Sequence, residues 1–190
     1  MKFACTQLSL SKALMTVDKA VSNRTTNPLL KGFLLNVKNQ RLYLTASDID
    51  LTIETSIEVQ TDSEGAVVVN AKLFEDIIRK LPSSIVKIEE IAGKLIISCL
   101  GSEFNIVTLP SDEFPGTGMA NNIDKINLKR EVFKNLIKKT SFAASIDEKK
   151  GTLTGCLMTL SNGSIEFAAL DGFRLATAKA EINYNGPEKK

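Results

Sequence analysis

The chain has 190 residues, 43% apolar and 24% charged, with a formal net charge of +2. That balance fits one large folded domain, or one small domain and part of another, and argues against disorder. No apolar run reaches the roughly 20 residues that span a bilayer, and the start MKFACTQLSLSKAL lacks a signal peptide's apolar block, so the expected location is the cytoplasm with no membrane partner.

In chain order, MKFACT predicts a strand, after which Leu10, Ala13, Leu14, Val17 and Val21 recur at helical spacing. GFLLNVKNQRLYLTAS alternates as two strands about a turn at Lys38–Gln40, and LTIETSIEVQ and GAVVVN continue the strand pattern. AKLFEDIIRKL reads as a helix stopped by Pro82, and IVKIEEIAGKLIISCLGSEFNIVTL as closing strands. PSDEFPGTGMANNID is rich in Pro, Gly and Asn and lacks periodicity. It suggests a linker over 119–123, between a first unit at 1–118 and a second at 124–190. In the second unit KINLK predicts a strand, and Val132, Phe133, Leu136, Ile137 and Thr140 predict one helix face. GCLMTLSNGSIEFAAL then predicts two strands about Asn162–Gly163. The result is an α+β chain of helices backed by mostly antiparallel sheets.

The two units match at one offset. Gly32 meets Gly155 (155 − 32 = 123), Leu34 meets Leu157, Leu42 meets Ile165, Leu44 meets Phe167, Ala46 meets Ala169 and Asp48 meets Asp171. Upstream, Phe3 meets Ile126, Leu10 meets Phe133, Leu14 meets Ile137 and Leu30 meets Leu153. The glycine and aspartate pairs in register argue for a duplicated unit. Only 67 residues of the second copy follow (190 − 123 = 67), so the chain is expected to be a fragment of a longer repeat protein. Half a unit cannot close its own core, and its sheet edge is expected to pair elsewhere.

Charge is unevenly placed. Residues 129–150 hold seven cations (Lys129, Arg130, Lys134, Lys138, Lys139, Lys149, Lys150) against Glu131, Asp147 and Glu148, a local +4 that leaves −2 for the remainder. Lys12 and Lys19 lie opposite the apolar face of the first helix, and Lys134 and Lys138 opposite that of the last. Arg79 and Lys80 close the helix before Pro82, where cations suit the helix C-terminus. The segment 47–64 is acidic. Lysines on an exposed helix face ordinarily serve solubility. Three such helices set against acidic strands suit a polyanion bound through its phosphates. Only two Tyr and nine Phe are available, and no base-reading motif occurs, so weak, salt-sensitive contact with the DNA backbone is expected.

Catalysis has little support. Absence of histidine excludes Ser-His and Cys-His chemistry and mixed Cys/His zinc sites. Cys5, Cys99 and Cys156 are widely spaced in apolar runs and read as buried free thiols. Asp48 and Asp50 would share a face of a strand and could hold Mg²⁺ for a nuclease, but the second copy keeps Asp171 and places Phe173 where Asp50 stands. Aspartate capping backbone amides at a strand end accounts for the shared residue. The expectation is a binding protein with no catalytic residues, metal or cofactor. A DNA-free adaptor that binds proteins by its sheet edges is the other reading.

SNRTTNPLLKGFLL, LYLTASDIDLTIE, AKLFEDIIRKLP, TLPSDEFP, LTGCLM and LDGFRLA resemble, in order and across nearly the whole chain, the bacterial DNA polymerase III β subunit family of sliding clamps. The resemblance implies a DNA-clamp fold with three such units per chain, and a head-to-tail homodimer forming a ring around duplex DNA. This chain would be the first unit and about half of the second, with the third absent, and would not close a ring. Lys12, Lys19, Arg79, Lys80, Lys134 and Lys138 would face DNA from helices lining the hole, and Arg24, Lys149 and Lys150 from loops. Lys150-Gly151-Thr152 stands where relatives often carry Arg-Pro or paired tyrosines.

The replicative polymerase and the clamp loader would insert an apolar peptide against Leu153, Leu170, Gly172, Phe173, Arg174 and Leu175. Many relatives carry Thr and His at the positions of Leu170 and Phe173, so a more apolar pocket is expected here. With one wall of the pocket missing, the chain alone is expected to bind such peptides poorly. Phe104 and Ile106, with Leu73 beside them, would form the dimer seam.

Overall fold

The computed structural model describes residues 1–22, 25–48, 50–115, 126–184 and 186–189. The chain divides into two compact units, Met1–Met119 and Ala120–Lys190. The proposed linker, 119–123, lies outside the described residues.

The first unit begins with β1 (Lys2–Thr6) and α1 (Gln7–Val17). Thr6 starts the helix, its side-chain oxygen accepting the Ser9 N–H at 3.3 Å. Leu10, Ala13, Leu14 and Val17 are buried along one face, as their spacing requires. β2 (Gly32–Lys38) and β3 (Arg41–Ser47) form a hairpin whose turn residues Asn39 and Gln40 have φ of 51° and 56°, the left-handed pair that a tight two-residue turn needs. β4 (Thr52–Glu58), β5 (Gln60–Ser63) and β6 (Gly65–Asn70) follow. Asn70 then caps α2 (Ala71–Lys80), accepting the Leu73 N–H at 3.0 Å, and Leu81 returns to extended backbone before Pro82.

β7 (Ile85–Ile91), β8 (Lys94–Cys99) and β9 (Ser102–Leu109) complete a nine-stranded antiparallel sheet, ordered β4-β3-β2-β6-β9-β8-β7-β1-β5. Its two terminal strands, β4 and β5, are separated in sequence by Val59 alone. β9 joins the two halves: it runs along β8 from Ser102 to Val107, and pairs with β6 only at Leu109 and Thr108. α1 and α2 pack on the inner face with Phe3, Phe33, Leu35, Leu42, Leu44, Phe74, Ile88 and Ile97. A buried hydrogen bond from Gln7 Nε2 to the Ile78 carbonyl, 2.8 Å, ties the two helices together.

The second unit contains α3 (Arg130–Thr140), short 3-10 turns over Ser141–Ala143 and Glu148–Thr154, and a three-stranded sheet of β10 (Leu157–Ser161), β11 (Ser164–Leu170) and β12 (Leu175–Glu181). Every one of these has a forerunner 123 residues earlier: α3 repeats α1, β11 repeats β3 and β12 repeats β4, with identical bounds. Hairpin register is repeated too. Arg41↔Glu58 becomes Ser164↔Glu181, and Ser47↔Thr52 becomes Leu170↔Leu175. The core is smaller, built on Leu136, Leu160, Ile165 and Phe167, with Phe133 edge-on to Phe167 at 5.8 Å between centroids.

The strand expected from KINLK is not formed over its described residues, 126–129. β1, its counterpart, is held between β5 and β7, and neither has an equivalent among the described strands of the second unit. Ile126 and Leu128 still pack on the core, so the apolar pattern survives without the ladder.

Candidate functional site

The expected cations sit on helix faces turned away from the cores. On α1 and its 3-10 extension, Lys12 and Lys19 are exposed while Leu10, Leu14 and Val17 are buried. On α2, Arg79 and Lys80 are exposed opposite Phe74 and Ile78; the guanidinium of Arg79 is paired with Asp76 one turn earlier, which offsets its charge. Lys72, at the start of α2, is equally exposed and was missed, because a lone lysine there breaks no pattern. On α3, Lys134 and Lys138 are exposed opposite Leu136 and Thr140. Arg24 falls outside the described residues. Lys149 is exposed, its backbone N–H held by Asp147 Oδ1 at 3.1 Å.

Lys150 is different. Its ammonium donates to the Asp171 carbonyl at 2.7 Å and lies 5.5 Å from the centroid of the Phe173 ring. It thus stands within the group expected to dock a peptide. That group centres on the loop between β11 and β12, which the Asp171 N–H closes by donating to the Arg174 carbonyl at 3.3 Å. Asp171 Oδ1 accepts the N–H of Phe173 at 2.9 Å and of Arg174 at 3.1 Å, and Oδ2 takes the Arg174 Nε–H at 2.9 Å. The Phe173 N–H, then the Arg174 N–H and guanidinium, hold the Asp171 carboxyl below the usual aspartate range, against a smaller opposing effect of desolvation. Gly172 has φ of +96°, a conformation that glycine alone adopts without strain.

The loop displays apolar surface. Phe173 is 94% exposed and Leu175 65%, with Leu170 on the preceding strand end also exposed. Arg174 lies over the exposed ring of Phe142, 5.7 Å from its centroid. Phe142 was not anticipated; the clue available was an aromatic standing where the first unit has Lys19. Leu153 is half-buried, and its carbonyl accepts the Ser145 N–H at 2.8 Å.

The first unit's equivalent loop explains the shared aspartate. Asp48 closes its loop by donating its N–H to the Leu51 carbonyl at 3.1 Å, and its carboxylate accepts the Leu51 N–H at 2.7 Å. Asp48 and Asp50 therefore lie in a loop and not on one face of a strand, which removes the geometry on which a Mg²⁺ site was to rest. No group of three metal-ligating side chains occurs among the described residues.

Of the expected seam residues, Leu73 on α2 is 48% exposed and Phe104 on β9 40%. Ile106 departs from a surface role: it is buried in the first core and supports β9 from within. Among the described residues, no strand pairs with β9 from Ser102 to Val107 on the side away from β8. Cys5 and Cys99 are buried and Cys156 half-buried, all three as free thiols; burial pushes the Cys5 thiol up to about 12. A recess of about 900 Å³ lined by Ala4, Thr6, Arg41, Val59 and Ile85 holds none of the expected site residues. No helix among the described residues is long and apolar enough to cross a membrane.

A helix and antiparallel hairpins, repeated at a fixed interval with lysines on the outward helix faces, define the α+β architecture of DNA clamps. Solved structures agree: the Caulobacter crescentus pol III beta chain superposes with a TM-score of 0.89 at 31% identity, over 96% of this chain and 51% of that one. The Pseudomonas aeruginosa DNA polymerase III subunit beta superposes at 0.91 with 27% identity, over 98% and 51%. The family models for the DNA polymerase III beta subunit match, the N-terminal domain at residues 1–118 and the central domain at 127–190, and the chain belongs to this family. Among curated relatives, the beta sliding clamp of Synechococcus elongatus is 35% identical over 184 residues, 95% of this chain and 49% of that protein. That of Bacillus subtilis is 33% identical over 192 residues, 96% and 51%. The chain spans about half the length of the curated relatives it matches.

Proposed function

We propose that this chain supplies the first unit and the beginning of the second unit of a DNA sliding clamp, a non-catalytic processivity factor that encircles duplex DNA and tethers the replicative polymerase in the cytoplasm. One observation carries the reading: each α-helix in both units turns an apolar face to its own core and a lysine-bearing face outward. Such faces neutralise phosphates without reading bases, which suits a protein that must travel along DNA of any sequence. Lys12, Lys19, Lys80, Lys134, Lys138 and Lys149 are the cations assigned to this contact. Arg79 contributes less, because Asp76 shares its charge.

In this reading the loop carrying Phe173, with Leu153, Leu170, Gly172, Arg174 and Leu175, is one wall of a docking site for the polymerase and the clamp loader. Leu73 and Phe104 belong to the seam of a homodimeric ring. The contact with DNA is tested by fluorescence anisotropy with a labelled duplex over a series of salt concentrations. Reversing two charges, Lys134→Glu with Lys138→Glu, is expected to lower the slope of log affinity against log salt by about 1.8, at ~0.9 per phosphate contact. An unchanged slope would remove α3 from the DNA-facing surface.

A further inference from the structure

The loop between β11 and β12 is held from outside itself as well as from within. The Lys150 ammonium bonds the Asp171 carbonyl at 2.7 Å and backs the Phe173 ring at 5.5 Å. It also lies 3.8 Å from where a Cβ on Gly172 would stand. One cation therefore engages the residues on both sides of Gly172, Asp171 and Phe173. Lys150 is itself held in place, its N–H donating to the Asp147 carbonyl at 3.0 Å, while Ser145 and Leu153 close the segment around it. Phe173 is almost wholly in solvent, so little packing fixes its ring, and the cation over the ring face favours one orientation.

We propose that Lys150 is a positioning residue of the docking loop, clamping the Asp171 carbonyl and the Phe173 ring, and that it is not among the cations that meet a DNA phosphate. This revises the role that resemblance alone gave it. What the fixed ring serves rests on the docking reading above, whereas the clamp itself can be measured in the free 190-residue chain. An ammonium can donate to the carbonyl while facing the ring, a guanidinium can do the same, and a methionine can do neither.

The test uses Lys150→Met, Lys150→Arg and, as a DNA control, Lys134→Met. Amide exchange of Phe173 and Arg174 and the Phe173 ring-proton shifts are followed by NMR, and duplex affinity by anisotropy. Losing the clamp in Lys150→Met is expected to speed exchange at both amides about 3- to 10-fold and to move the ring shifts toward those of a free phenylalanine. Lys150→Arg is expected to restore both. Duplex affinity is expected to stay at the wild-type value in Lys150→Met and to fall in Lys134→Met. Unchanged exchange with a loss of duplex affinity matching Lys134→Met would overturn the proposal, as would failure of arginine to rescue the ring shifts. Failure of the docking reading has a separate signature. There Phe173→Ala, placed in the longer protein that supplies the other wall, leaves the affinity of an apolar polymerase-derived peptide unchanged while the Lys150 readouts in the 190-residue chain keep their expected values.

Discussion

The same positions have opposite fates in the two units. Leu10, Leu14 and Leu35 are fully buried, whereas Phe133, Ile137 and Met158, each 123 residues later, are 41%, 37% and 38% exposed. Helix bounds, hairpin bounds and register are nevertheless repeated. Local pattern is therefore enough to specify elements and hairpins, while burial depends on what lies across from them. In the first unit β6 flanks β2, and α2 flanks α1. In the second, the corresponding edge of β10 meets only the Leu160–Lys189 bridge among the described residues. Gln7 makes the same point: buried and bonded to α2, it gives way at the matching position to Arg130, a surface residue paired with its neighbour Glu131.

The largest expected effect that could break this comparison is a paired truncation. Leu14→Ala should cost ~2–5 kcal/mol in urea unfolding of the first unit, as a cavity in a closed core does. Ile137→Ala, at the matching position, should cost the second unit about 1 kcal/mol or less, because that side chain is already partly in water. Equal costs would mean that the second unit's helix is as well covered as the first. Next comes the shared glycine. A Cβ on Gly32 would meet Val68 Cγ1 at 2.6 Å and the Val69 carbonyl at 2.8 Å, while on Gly155 it would meet only the Thr152 carbonyl at 3.8 Å. Gly32→Ala should therefore destabilise by about 1–3 kcal/mol through overpacking, and Gly155→Ala by a few tenths at most. A thermal melt of each variant decides it, and a costly Gly155→Ala would contradict the asymmetry.

The smallest effect concerns the Asp171 loop. The Asp171 carboxyl lies below its ordinary value of 3.8 in the folded loop. Its contribution to loop order is complete above that value, and it is lost as pH falls through the lowered folded value. Following the Phe173 amide shift with pH should give a midpoint below 3.8; a midpoint at or above it would mean that the cap does not form in solution.

Much of this was legible in the sequence because periodicity and repeats report local structure. The helix faces, both hairpin turns and the capping role of the shared aspartate all follow from residue type and spacing. What was not legible depended on distant partners. KINLK has strand chemistry but lacks neighbours to pair with, and Ile106 reads like Phe104 until the core closes over it. Lys150 looked like one more surface cation, because nothing in Lys149–Lys150 says which of the two will reach a carbonyl 21 residues away.

The order of strands in the first unit bears on how the protein is made. β1 pairs with β7, Lys2 lying opposite Glu89, and β9 must be present before the two halves of the sheet can join. At a synthesis rate of ~5–20 residues per second, the first strand to leave the ribosome waits roughly 3–12 s for β5 on one edge and roughly 4–17 s for β7 on the other. The hairpins from Leu157 to Glu181, by contrast, pair with their immediate neighbours and can close as they emerge. The nascent first unit therefore exposes the apolar faces of β1 and α1 through most of its own synthesis, and that interval is when a chaperone has something to hold.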